Sequence, residues 1–190
     1  MKKLILSGLL TLGFFPLVAN AGTLIEPGIA YRTGTFDGGT GATGKVSGVG
    51  LTARLAMSFP MIFAGLDLGY NFGTITPDSG PSGDATAVTV GPVVGVSLPA
   101  LPLRFWAAYL LWDYTTSKTT SAPAYDRVIS GTGIKIGGGY TIIPLLSVNL
   151  DYVMHTYTKY DDKLLNSSGD LTSSVKGTDF VISASIPLDL

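Results

Sequence analysis

The chain has 190 residues, no cysteine, 25 glycines and only 13% charged residues. That length holds one domain, and the lack of cysteine excludes disulfides and thiolate metal sites. The apolar balance excludes a disordered chain, yet beyond the N-terminus no run is long enough for a membrane-spanning helix.

Residues 1–21 read as a cleaved secretory signal peptide. Lys2 and Lys3 form a basic start, Leu4 to Val18 an apolar run, and Ala19-Asn20-Ala21 a small-residue cleavage site. The expected mature domain is therefore 22–190, exported through the Sec pathway. Removing Lys2 and Lys3 leaves 10 basic against 13 acidic residues, a formal charge of −3. That balance offers no electrostatic footprint for nucleic acid.

The mature region is punctuated by Pro60, Pro102, Pro144 and Pro187, at intervals of 42, 42 and 43 residues. A membrane-crossing strand needs about 9–11 residues, so each interval accommodates two strands, a tight turn and a longer loop. Four such units predict eight antiparallel strands. A propeller of four blades has a similar period, but no blade signature is present.

Taken in order, the strands alternate as a barrel in lipid requires, apolar outward and small or polar inward. The first carries Glu26, Tyr31 and Arg32, with Pro27 marking a bulge or strand end. The second sets Val49, Leu51, Ala53, Leu55 and Met57 against Gly48, Gly50, Thr52 and Arg54. The third sets Ile62, Ala64, Leu66, Leu68, Tyr70 and Phe72 against Gly65, Asp67, Gly69 and Asn71. The fourth opposes Val88, Val90, Val94 and Val96 to Thr89, Gly91, Gly95 and Ser97, with Pro92 as a second bulge marker. The fifth, Leu103 to Thr116, is apolar on both faces, so the facing of Trp106 and Trp112 stays open. The sixth places Ile134, Ile136, Tyr140 and Ile142 opposite Gly133, Lys135, Gly137 and Gly139. The seventh sets Leu146, Val148, Leu150, Tyr152 and Met154 against Ser147, Asn149, Asp151 and His155, and the eighth Phe180, Ile182, Ala184, Ile186 and Leu188 against Asp179, Ser183 and Ser185.

Aromatics near the strand ends suit the two membrane interfaces. Tyr31, Tyr70, Phe72, Trp112, Tyr114 and Tyr157 are expected toward the long loops, and Phe59, Phe63, Phe105 and Tyr140 toward the turns. A soluble barrel would invert the faces, which the glycine-rich side does not favour. The fold class expected is thus all-β, an eight-stranded antiparallel up-and-down transmembrane β-barrel.

On these grounds the chain resembles the small eight-stranded outer-membrane proteins grouped around the barrel of OmpA, OmpX and OmpW. The resemblance spans the mature region and rests on hairpin count, alternation and the last strand. It implies a bacterial outer-membrane location, lipid and lipopolysaccharide as surroundings, and a monomer. It also implies recognition of the last strand by the barrel-assembly machinery. Phe180, Ile182, Ala184, Ile186, Leu188 and Leu190 keep the required alternation, although the final residue is leucine where that family ends in an aromatic.

The inward charges Glu26, Arg32, Arg54, Asp67, Lys135 and Asp151 form a candidate lumen network. Buried charges must pair, so the expected role is a salt-bridged plug, with a gate for ions or small solutes as the alternative. No catalytic, metal or cofactor site is expected. His155 lacks the His-x-Ser pattern of lipid A deacylases and reads as a structural or rim histidine. Gly39 to Lys45 mimics a phosphate-binding loop, but Val46 follows where serine or threonine is needed and a strand follows where a helix is needed. The outward loops are placed at 36–45, 77–84, 117–125 and 161–174, and Asp161, Asp162 and Asp170 are candidates for cation bridges to lipopolysaccharide. The expected role is non-enzymatic: envelope structure or surface interaction, with a narrow gated pore as the competitor.

Overall fold

The computed structural model describes residues 22–38, 43–98, 100–121 and 124–190. The signal-peptide reading and part of the Gly39–Lys45 segment lie outside them. The strands are β1 (Gly22–Asp37), β2 (Thr43–Ser58), β3 (Ile62–Pro77), β4 (Gly83–Leu98), β5 (Leu103–Thr119), β6 (Tyr125–Ile143), β7 (Leu146–Asp162) and β8 (Ser167–Ser185). A short β9 (Leu188–Asp189) continues β8. Each strand pairs antiparallel with the next, and β1 pairs with both β2 and β8, which closes the ring. Closure is the solution that leaves no unpaired edge in lipid.

The repeating prolines Pro60, Pro102, Pro144 and Pro187 fall at the same end, between β2 and β3, β4 and β5, β6 and β7, and at the break before β9. Pro27 stands beside that last break, where its missing N–H leaves no ladder bond unmade; its carbonyl accepts from Ile186 N. The seam is completed by Leu190, whose backbone N–H and carbonyl both pair with Thr23.

Strand runs into each expected outer loop and takes up most of the one at 161–174. β1 has 16 residues and β8 has 19. A strand of that length runs about 50 Å at about 3.3 Å per residue and, tilted by about 40°, rises well above an apolar band about 25 Å tall. The predicted loop at 161–174 contracts to a turn between Asp162 and Ser167, with Asn166 in the left-handed region (φ 48°).

The open question of strand five has a local cause. Arg104, Trp106, Ala108 and Leu110 face inward, and then Asp113 and Thr115 do, while both Leu111 and Trp112 are exposed. The register of β5 slips against β4 and against β6 at this point. One extra residue switches which parity faces the lumen. Pro92 sits on β4 at the same irregularity, between Val90 and Val93.

Tyr31, Tyr70, Phe72, Trp112 and Tyr114 project outward. Two expected girdle aromatics do not. Tyr157 shares the face of Asp151 and His155 and is buried in the lumen, and Phe63 is buried on the face opposite Ile62 and Ala64.

Candidate functional site: a layered lumen

The interior is organised in layers because four strands repeat one inward order. From the proline-turn end, β1 presents Glu26, Ala30 and Arg32, and β5 presents Arg104, Leu110 and Asp113. β7 presents Asp151, Val153 and His155, and β8, running the other way, Ser185, Val181 and Asp179. In each strand an apolar residue separates a lower polar position from an upper one. Ala30, Leu110, Val153 and Val181 pack together as a buried cluster.

The lower layer contains five of the six expected network residues. Arg54 donates to Glu26 (2.9 Å) and to Asp67 (3.1 Å), its register partners on β1 and β3. Lys135 pairs with the other oxygen of Asp67. Asp151 accepts from Trp106 Nε1 at 2.6 Å. Arg104, hidden in the doubly apolar fifth strand, joins them by donating to Glu26 Oε1 at 2.6 Å. Glu26 and Asp67 are thus ion-paired with three cations, while the Trp106 indole holds Asp151. The Arg54 guanidinium also stacks 4.0 Å above the Trp106 ring, and Ser185 donates to Glu26 at 2.7 Å. Such dense pairing is what compensates the desolvation of buried charge. A cavity of about 10 Å³, room for about one water, lies among these side chains.

Arg32, the sixth expected residue, belongs to a different layer. Its Nε stands 2.5 Å from Asp179. Asp179 in turn is 2.7 Å from His155 Nε2, and Asp113 is 2.5 Å from His155 Nδ1. Carboxylate oxygens only accept, so with both aspartates ionised the ring carries a proton on each nitrogen. Tyr157 stacks parallel on His155 with centroids 5.6 Å apart, and its hydroxyl meets Thr115 at 3.0 Å. In that protonation state two cations face two anions, all of them buried. Both ring nitrogens are engaged by aspartates and no serine hydroxyl bonds to His155 among the described residues, which is not a nucleophile–base arrangement.

Above this layer the barrel opens into a cup of about 460 Å³. At its rim Asp162 accepts from the Leu165 and Leu164 N–H groups and from Arg127 (3.1 Å). The Leu165 bond, with the Arg127 contact behind it, holds this carboxyl below the usual carboxylate range. Asp162 is thus committed to the turn and to Arg127, and no group of three or more candidate metal ligands is found among the described residues.

A closed eight-stranded barrel with an apolar outer belt and a salt-bridged interior defines the class: this is a small bacterial outer-membrane β-barrel protein. No protein-family model and no curated protein sequence matches the chain. Among solved structures it is similar to Ail, the attachment invasion locus protein of Yersinia pestis, in complex with the heparin analogue sucrose octasulfate. There the identity is 11%, the match covers 89% of this chain and 99% of that one, and the TM-score is 0.58. It is similar also to Neisserial surface protein A, at 11% identity over 86% and 96% of the two chains, TM-score 0.53. A third similarity is to OprG from Pseudomonas aeruginosa, at 10% identity over 90% and 97%, TM-score 0.50. Identities of this size speak for the fold.

Proposed function

We propose that the protein is a closed, non-enzymatic barrel serving envelope structure or surface interaction. The observation that carries this reading is the apolar septum Ala30–Leu110–Val153–Val181 between two layers of paired polar side chains. An ion crossing it would shed water against aliphatic side chains, and hydrophobic constrictions of this kind close pores by dewetting. In this reading the surroundings are outer-membrane lipid and lipopolysaccharide. The barrel-assembly machinery would read the alternating last strand, whose terminal Leu190 the seam requires.

The test is conductance of the refolded mature domain in a planar lipid bilayer. The expected result is an inserted barrel without discrete openings. Reproducible openings that change when Arg54 or Lys135 is replaced would establish the gated pore instead and make the lower network its gate.

A further inference from the structure

The upper end of the barrel inverts the pattern of the rest. Along the membrane-facing belt the outward residues are apolar, and the inward ones are small, polar or charged around the buried apolar clusters of Phe63 and Trp106 and of the septum. Above the His155 layer, Lys45, Thr76, Asp84, Lys118 and Lys176 have the outward parity and are exposed. Inward stand Phe36, Val46, Ile75 and Ile129, which line the cup. Polar outside and apolar inside is the arrangement of a soluble ligand-binding barrel. It is what a strand extension standing in water adopts when its interior has an apolar occupant.

One wall of the cup is built by a break in the ladder. β7 and β8 pair as Tyr157 with Val175, and the pairing resumes only at Lys159 with Asp170. Leu171, Thr172 and Ser173 therefore leave the ladder, and all three line the cup. The floor is the buried layer of Arg32, His155 and Asp179. Of the charged residues on the cup wall, Arg32, Arg127 and His155 are cationic or can become so, and Asp179 alone is acidic. Asp113 and Asp162, their other acidic partners, are buried and do not line it. Arg127 is half-exposed at the rim, with one terminal nitrogen held by Asp162, and Ser117, Thr172 and Ser173 line the same cup.

We propose that this cup is a binding site for a small amphipathic anion. An alkyl or other apolar body would fill the space between Phe36, Val46, Ile75, Ile129 and Leu171. A single anionic head would stay at the rim on Arg127. The volume lies within the range of small-molecule sites, which combine apolar walls with a few placed polar groups. Occupancy removes apolar wall from water without disturbing any layer below, so binding needs no opening of the barrel. The proposal rests on the orientation of the barrel and not on its being sealed, so conductance and binding fail independently.

The test uses the absence of cysteine in the natural sequence. Thr172→Cys, labelled with an environment-sensitive fluorophore, is placed in lipid nanodiscs and titrated with octanoate, octanol and octyltrimethylammonium. The expected result is saturable binding with octanoate favoured over the cation. Adding Arg127→Gln should remove that preference, weakening octanoate by about fivefold while sparing octanol, as expected for one half-exposed charge. Adding Ile75→Asn should abolish saturable binding of all three, and a signal that persists in that variant is partition into lipid. A linear response to every probe, identical in all variants, would overturn the proposal. So would tighter binding of the cationic probe.

Discussion

Glu26 and Arg54 are register partners across β1 and β2, and their side chains meet at 2.9 Å inside the barrel. Arg104 reaches the same carboxylate from across the lumen, so Glu26 is the single anion shared by two guanidiniums. Removing it by Glu26→Ala leaves both cations partly uncompensated in a buried layer. The expected cost is about 3–5 kcal/mol, the scale for breaking a buried pair from one side. Urea unfolding of the barrel in lipid vesicles reads this directly. Arg54→Met should cost less, since Glu26 keeps Arg104 and Asp67 keeps Lys135. Equal midpoints for wild type and Glu26→Ala would rule out a stabilising network.

Gly137 marks a second tight point in the same layer. A Cβ there would collide with Asp151 Oδ1 and lie 2.5 Å from Trp106 Nε1, against the hydrogen bond that joins them. Gly137→Ala should therefore displace the indole and destabilise the barrel by about 1–3 kcal/mol, the range for overpacking. Trp106 is buried and Trp112 faces lipid, so the Trp112→Phe background isolates the lumen tryptophan. Its emission should change on Gly137→Ala. Unchanged emission and stability would mean that the layer tolerates a methyl group there.

Leu110 is fully buried and is the largest residue of the septum. Leu110→Ala should cost about 2–5 kcal/mol through lost transfer energy and the cavity left behind. Conductance should nevertheless remain absent, because the lower layer still fills the lumen. Channel openings in this single variant would show that the septum alone holds the barrel closed.

Much of this architecture is legible in the sequence because a barrel wall has a period of two and because this chain carries a proline at each turn of one end. The same period already placed two residues that the aromatic-girdle argument misassigned. Tyr157 has the parity of Asp151 and His155, and Phe63 that of Gly65 and Asp67. What parity could not reach was the far side of the β5 bulge. The extra residue at Leu111 and Trp112 hid Asp113, and with it the reason for His155. Arg104 was obscured by apolar neighbours on both faces. The separation of Arg32 from the other five charges was equally out of reach, since it depends on which cross-barrel residues stand at its height. The outer loops were overestimated because serine, threonine, glycine and aspartate suit an exposed strand face above the membrane as well as they suit a loop.

The last of those polar segments supplies a pH test outside the membrane. Asp162 caps the turn to β8 by accepting from Leu164 and Leu165 N–H, and these bonds with Arg127 stabilise its ionised form. Its carboxyl is thereby lowered in the folded state. The unfolded reference is about 3.9, so the contribution to turn stability is complete above that pH and is lost as pH falls through the lower folded value. Between pH 7 and pH 5 the Leu165 amide signal should stay constant. It should shift only in strong acid, below the ordinary carboxylate range. In Asp162→Asn the acid transition of that signal should vanish, while the rest of the barrel spectrum remains unchanged. A Leu165 amide that already shifts within the ordinary carboxylate range in the natural protein would show that the turn does not depend on this carboxylate.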